Sequence, residues 1–197
     1  PEMMGLGRKA AYASALRPTT GKNPRPLVPG TICAHNCRTK CMRNYYDEPV
    51  NSRATKLVAA EKGYDAYMSK ITPPAPVTDG RKVAVIGGGP TGMSAAYFVG
   101  RAGIPVTLFE KADRLGGIVR QVIPAFRLSD EAIDKDVALM EKMGVEVKLN
   151  TEAPSVAELK AQGYTHIFFA VGAWTAGRLD IPGNAVPVIG RLRDLKA

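Results

Sequence analysis

No apolar stretch in these 197 residues approaches the roughly 20 that a membrane span requires. No segment with a charged start and an apolar middle opens the chain as a secretory signal would. Cysteine is missing everywhere but in one stretch, which holds all three, Cys33, Cys37 and Cys41. Their odd number and the missing signal argue against a disulfide framework. An uninterrupted basic run is missing too, although 27 Lys and Arg against 18 Asp and Glu give a net charge of +9. Spread out in this way, the charge fits a solvated surface or an anionic partner better than nucleic acid or a membrane surface. These absences describe a cytoplasmic protein, and the 45% hydrophobic content is enough to build an ordinary core. The chain begins at Pro1 without an initiator and stops at Ala197, so it reads as a fragment.

What is present is organised around Lys82 to Gly92, K-V-A-V-I-G-G-G-P-T-G. Val83, Ala84, Val85 and Ile86 form a continuous apolar run, as a central parallel strand does when both faces are covered. Gly87, Gly89 and Gly92 follow as G-x-G-x-x-G. One glycine permits the tight turn, one lets a pyrophosphate approach the backbone, and one lets the helix pack close to the strand. Pro90 suits the first turn of that helix, whose free amides and positive dipole end attract an anion. The helix is expected over Thr91 to Arg101, with Met93, Ala96, Tyr97 and Gly100 on one face and Gly103 past its end. A second strand, Ile104 to Phe109, delivers Glu110 eighteen residues after Gly92, where an acid accepts from a ribose hydroxyl. Strand, turn, helix, strand and acid together point to an adenine dinucleotide.

The residues before this unit read differently. One short helix is expected from Arg8 to Leu16, followed by a loop, because Pro18, Pro24, Pro26 and Pro29 exclude a long helix. Cys33, Cys37 and Cys41 lie four apart, which on a helix would line the thiols along one face. Arg38, Lys40 and Arg43 nearby would favour thiolate. Metal ligation is the preferred reading, either zinc with His35 as a fourth ligand or an iron–sulfur cluster that lacks one ligand. Small buried core residues are the alternative. A helix is expected from Ser52 to Lys62, with Ala54, Leu57, Val58 and Glu61 in register and Gly63 as its stop. Tyr64, Tyr67 and Met68 read as packing residues. Ile71 to Gly80 is a proline-rich linker, and the domain boundary falls there.

Beyond Glu110 comes a second glycine site, Gly116-Gly117, which a simple nicotinamide domain does not need; it reads as a loop laid against the rest of a long dinucleotide or, alternatively, as an ordinary left-handed turn. Ser129 caps a helix whose Asp130 and Glu131 complement its dipole and whose Ile133, Val137 and Met140 form its buried stripe. Gly144 ends it, and Val145 to Leu149 is the next strand. Ser155 to Gln162 is a short helix, and His166 to Val171 a second fully apolar strand in which His166 reads as a surface residue.

In this order the motifs resemble one family: the small subunit of glutamate synthase, the matching part of dihydropyrimidine dehydrogenase, and bacterial subunits of a selenate reductase-like branch, to which the cysteine stretch looks closest. The carrying features are N-P-x-P-x-x-x-G before the cysteines, V-A-V-I-G-G-G-P-T-G, L-F-E-K, L-G-G-I, I-P-A-F-R-L, and F-F-A-V-G-A before I-P-G. The resemblance implies an α/β fold, with a small α-helical iron–sulfur-type segment over residues 1–75 and a Rossmann-like FAD-binding domain over 76–197, truncated before the NAD(P)H domain. It implies FAD on Gly87, Gly89, Pro90, Thr91, Gly92, Glu110, Lys111, Gly116, Gly117, Ile118, Arg127 and Ala153. It also implies 4Fe-4S ligation by Cys33, Cys37 and Cys41. NAD(P)H would reduce FAD, and the clusters would carry electrons to other redox subunits or domains. No side chain need be an acid–base catalyst. Further cysteines of the two-cluster arrangement would lie upstream, Lys56 stands near where one branch has a ligand, and a nicotinamide domain would be inserted after Ile181-Pro182-Gly183. The ligand set is therefore incomplete and the fragment alone is expected to be inactive. A non-catalytic scaffold and a nicotinamide-binding dehydrogenase domain are the competing readings.

Overall fold

A computed structural model describes residues 2–173; Ile181-Pro182-Gly183, where the inserted domain is expected, lies outside them. The chain opens with α1 (Glu2–Arg8) and α2 (Tyr12–Thr20) in place of one helix over Arg8 to Leu16. The break is at Ala10, whose φ of 55° is left-handed. The proline-dense stretch is not all loop. It includes α3 (Leu27–Ile32), with Pro26 as N-cap and Pro29 in the first turn, where a missing N–H costs nothing. After α4 (Asn36–Thr39) and a single 3-10 turn at Met42–Tyr45 comes α5 (Ser52–Met68), capped by the Asn51 side chain, which accepts from the Ala54 amide. α5 runs straight through Gly63 instead of stopping there. A Cβ on Gly63 would lie 2.5 Å from the Tyr12 carbonyl carbon, so this glycine lets α5 cross α2 backbone to backbone. The buried face is accordingly Ala59, Ala60, Gly63 and Tyr64, while Ala54, Val58 and Glu61 are exposed.

The rest is a parallel sheet with helices packed on it. β1 (Val83–Ile86), α6 (Pro90–Arg101), β2 (Val106–Phe109), α7 (Ile118–Gln121), α8 (Asp130–Glu141), β3 (Glu146–Lys148), α9 (Val156–Ala161) and β4 (His166–Phe169) follow in order. The strands lie side by side as β3-β2-β1-β4, and Val83 pairs with Val106 on one side and with His166 on the other. Ser129 caps α8 by accepting from the Ala132 amide, and Ser155 with Glu158 makes a capping box on α9. β1 and β2 are buried, and Val85, Leu108, Met93, Tyr97, Leu139 and Met140 share the core. β4 departs from the fully buried strand its composition suggests: Phe168 is 43% and Phe169 60% exposed, because among the described residues β4 is an edge. No helix among them is long and apolar enough to cross a membrane.

The two halves meet at α3 and α8. Asp136, on α8, is 0% exposed. Its two carboxylate oxygens accept from the Leu27 amide at 3.1 Å and the Val28 amide at 2.8 Å, serving the free amides at the start of α3. Burial pushes Asp136 up to about 7, against the opposing pull of those amides and of Arg25. Val28 packs beside Val119, Leu128 and Ile133, and the Tyr64 hydroxyl donates to the Lys135 carbonyl at 2.6 Å. Residues 69–82 form no regular element, but Val77 is tied to the end of α6 through the Gly103 carbonyl at 2.7 Å.

Candidate dinucleotide site

Where β1 gives way to α6, the fold requires glycine at two of the three motif positions and leaves the third free. Gly87 has φ 104°, and a Cβ there would lie 2.4 Å from the Ala170 carbonyl oxygen. A Cβ on Gly92 would stand 1.8 Å from the Gly87 carbonyl oxygen, so that glycine lets α6 close on the turn. Gly89 is under neither constraint. Its backbone is ordinary extended chain, φ −75° and ψ −177°, and a Cβ would meet nothing nearer than the Gly117 Cα at 4.0 Å. The space in front of Gly89 is kept clear by nothing in the fold itself, and it faces the first turn of α6, where free amides favour an anion.

The acid after β2 is fixed in place. Glu110 accepts from the Gly88 amide at 2.6 Å and from the Ala112 amide at 2.9 Å. Each oxygen keeps lone-pair capacity for a further donor. The second glycine pair forms the facing wall: the Gly116 amide donates to the Gly88 carbonyl at 2.9 Å, and a Cβ on Gly117 (φ 52°) would come within 2.8 Å of the Gly89 Cα. Arg120 sets this wall by donating through Nε to the Leu115 carbonyl at 2.6 Å while pairing with Asp130 and Asp134.

Between these walls opens a cavity of about 900 Å³, at the large end of the roughly 300–1,000 Å³ of ligand pockets. Gly87, Gly89, Pro90, Thr91, Glu110, Lys111, Gly117, Ile118 and Ala153 all line it.

A family model described as an NAD(P)-binding Rossmann-like domain matches residues 85–125. The chain is 39% identical over 185 residues to "Putative oxidoreductase YgfK" of Escherichia coli K12, covering 93% of this chain and 18% of that protein. It is 31% identical over 186 residues to the glutamate synthase (NADPH) small chain of Mycobacterium tuberculosis H37Rv, covering 93% of this chain and 38% of that one. A third relative is the NADP(+)-dependent formate dehydrogenase subunit beta of Moorella thermoacetica, 29% identical over 85% of this chain and 28% of its own length. The chain belongs to this oxidoreductase family. It spans less than two fifths of these relatives' lengths.

Three residues that the family resemblance puts on the cofactor do not line this cavity. Gly92 and Gly116 lie behind the walls and shape them without lining the cavity. Arg127 is exposed and outside the lining, its backbone amide donating to the Pro124 carbonyl at 2.9 Å in a surface turn. The motif reading missed Ala112, Gln121, Thr151, Ser155 and Gly172, which also line the cavity. Apart from Gln121 these sit in loops following β2, β3 and β4, and the rule that ligands of open parallel sheets bind beyond the strands' carboxyl ends would have pointed to them.

The family's cysteine stretch is not one helix. Cys33 ends α3, Cys37 lies within α4, and Cys41 precedes the 3-10 turn, so the four-residue spacing does not stack the thiols. Backbone amides of Val50 and then Arg43 hold the Cys41 thiol below its ordinary value. His35, with φ 60°, places its ring against the Arg53 guanidinium. Among the described residues no three His, Cys, Asp or Glu stand together as a group able to hold a metal. The described donors therefore do not fit an iron–sulfur cluster, whereas the glycine cradle and its anchored acid do fit a dinucleotide.

Proposed function

We propose that the chain is the FAD-holding part of a cytoplasmic oxidoreductase subunit that passes electrons from NAD(P)H through FAD toward iron–sulfur centres and a partner acceptor. The observation that carries this reading is the clear space at Gly89, bounded by Gly117 and by an acid already fixed on the Gly88 amide. The pyrophosphate would lie against Gly87, Gly89, Pro90 and Thr91. Glu110, beside Lys111, would accept from ribose hydroxyls, and Gly117, Ile118 and Ala153 would cover the remainder. FAD bound here supplies the redox chemistry. The chain's own residues bind it, orient it and keep water from the pyrophosphate; none is asked to move a proton. The Gly116-Gly117 wall favours FAD over a simple nicotinamide ligand, because it lengthens the cradle beyond what the first glycine turn requires.

Absorption of freshly purified protein after gel filtration tests the proposal. Flavin bands that stay with the protein are expected. A folded protein without a chromophore that binds NAD(P) selectively would establish the nicotinamide reading, and one that binds neither would leave a scaffold.

A further inference from the structure

A second, smaller cavity lies where the two halves meet, on the far end of α6 from the glycine turn. Its volume is about 220 Å³, below the range of drug-sized pockets. Arg17 and Thr20 reach it from the last turn of α2, Tyr67 from α5, and Tyr97 and Arg101 from α6. Of its nine lining residues none is acidic. Arg101 is held across the cleft by donating through Nη1 to the Gly21 carbonyl at 3.1 Å. That bond joins the halves but cancels no charge, and it leaves other guanidinium donors in their fixed fork.

The floor is a hydroxyl network. Thr20 Oγ1 donates its one hydrogen to the Leu16 carbonyl at 3.0 Å, so the Tyr67 hydroxyl is the donor in its short contact with Thr20. The Tyr97 side chain, almost completely buried, lines the same cleft beside Thr20 and Arg101. The cleft thus has two exposed cations, Arg17 and Arg101, at its edge and a floor of neutral hydroxyl side chains.

We propose that this cleft binds a compact oxyanion, a carboxylate or phosphate group, between Arg17 and Arg101. Guanidinium forks match both groups in charge and shape. The volume excludes a dinucleotide, and an occupant bridges α2 to α6 and so ties the N-terminal helices to the sheet. The proposal does not depend on the FAD reading.

The test is a thermal-melting and calorimetric titration of the protein with inorganic phosphate and with succinate, against chloride at matched ionic strength. A saturable rise in melting temperature with phosphate or succinate but not chloride is expected, and the stronger of the two identifies the anion as phosphoryl or carboxylate. The Arg17→Gln, Arg101→Gln double variant should bind the anion roughly tenfold more weakly or worse. Gly89→Val, which disturbs the other cavity, should keep the response. Equal effects of all three salts on the unaltered protein would overturn the proposal. So would a double variant that melts lower yet responds to the anion unchanged, for then the two arginines serve only the helix C-termini.

Discussion

Residues 83–170 supply the larger core, in which Tyr97, Met93, Leu108, Leu139 and Met140 are almost completely buried and against which Tyr67, Met68 and Ile71 pack. Residues 2–68 bury less, with Leu16, Leu27, Ala60 and Tyr64 making a cluster that Ala132 of the other half completes. The helical half also relies on a carboxylate it does not own: the first amides of α3 are satisfied by Asp136. The sheet half is thus held by apolar packing and backbone closeness, the helical half by small residues and one buried acid. Structure that frames the large cavity and structure that connects to it have been stabilised by different physical means.

The contrast predicts where substitutions act. Gly92→Ala should be the most damaging, costing about 3 kcal/mol or more, because its Cβ would meet the Gly87 carbonyl oxygen at 1.8 Å; a urea midpoint near the unaltered protein's would show that the turn is not rigid. Gly89→Val, three residues away, should keep its melting temperature and lose FAD affinity by on the order of a hundredfold or more, since only the ligand occupies that space. Flavin titration of the folded variant checks it.

Asp136→Ala should cost about 3 kcal/mol by stranding two buried amides, and hydrogen exchange should rise in α2, α3 and α5 while β1 and β2 stay protected. Equal loss of protection in both halves would dissolve the contrast. The same residue gives a pH dependence. Its folded value of about 7 lies above the ~3.9 of an unfolded aspartate, so the native state binds the extra proton. Its contribution is complete below pH ~4 and is lost as pH rises through about 7, a fall of about 2.5 kcal/mol between pH 5 and 8. Urea midpoints at the two pH values, with Asp136→Asn as the flattened control, measure this. Arg127→Ala should have the smallest effect, within about 0.5 kcal/mol on FAD affinity, because the side chain is exposed and away from the cavity.

The strands, the glycine turn and the anchoring acid were legible in the sequence, because a continuous apolar run, a positive-φ glycine and an acid after the second strand are local signals. Asp136 was not. Read along α8 it is one acid among several, and only its place between Ile133 and Met140 on the apolar stripe marks it as buried. Gly63 misled for the opposite reason: a glycine at the end of an amphipathic stretch resembles a stop, while its use here depends on Tyr12, far away in sequence. Arg127 belongs to a recognisable motif, but motif membership does not say which way a surface turn faces.

The Asp136 bond spans 108 and 109 residues of chain, and that separation has a consequence in time. At the roughly 5–20 residues per second of synthesis, the start of α3 leaves the ribosome roughly 5–20 s before the carboxylate that holds it. During that interval the first helices have no anchor, and their small apolar surface is what keeps them from finding a wrong one.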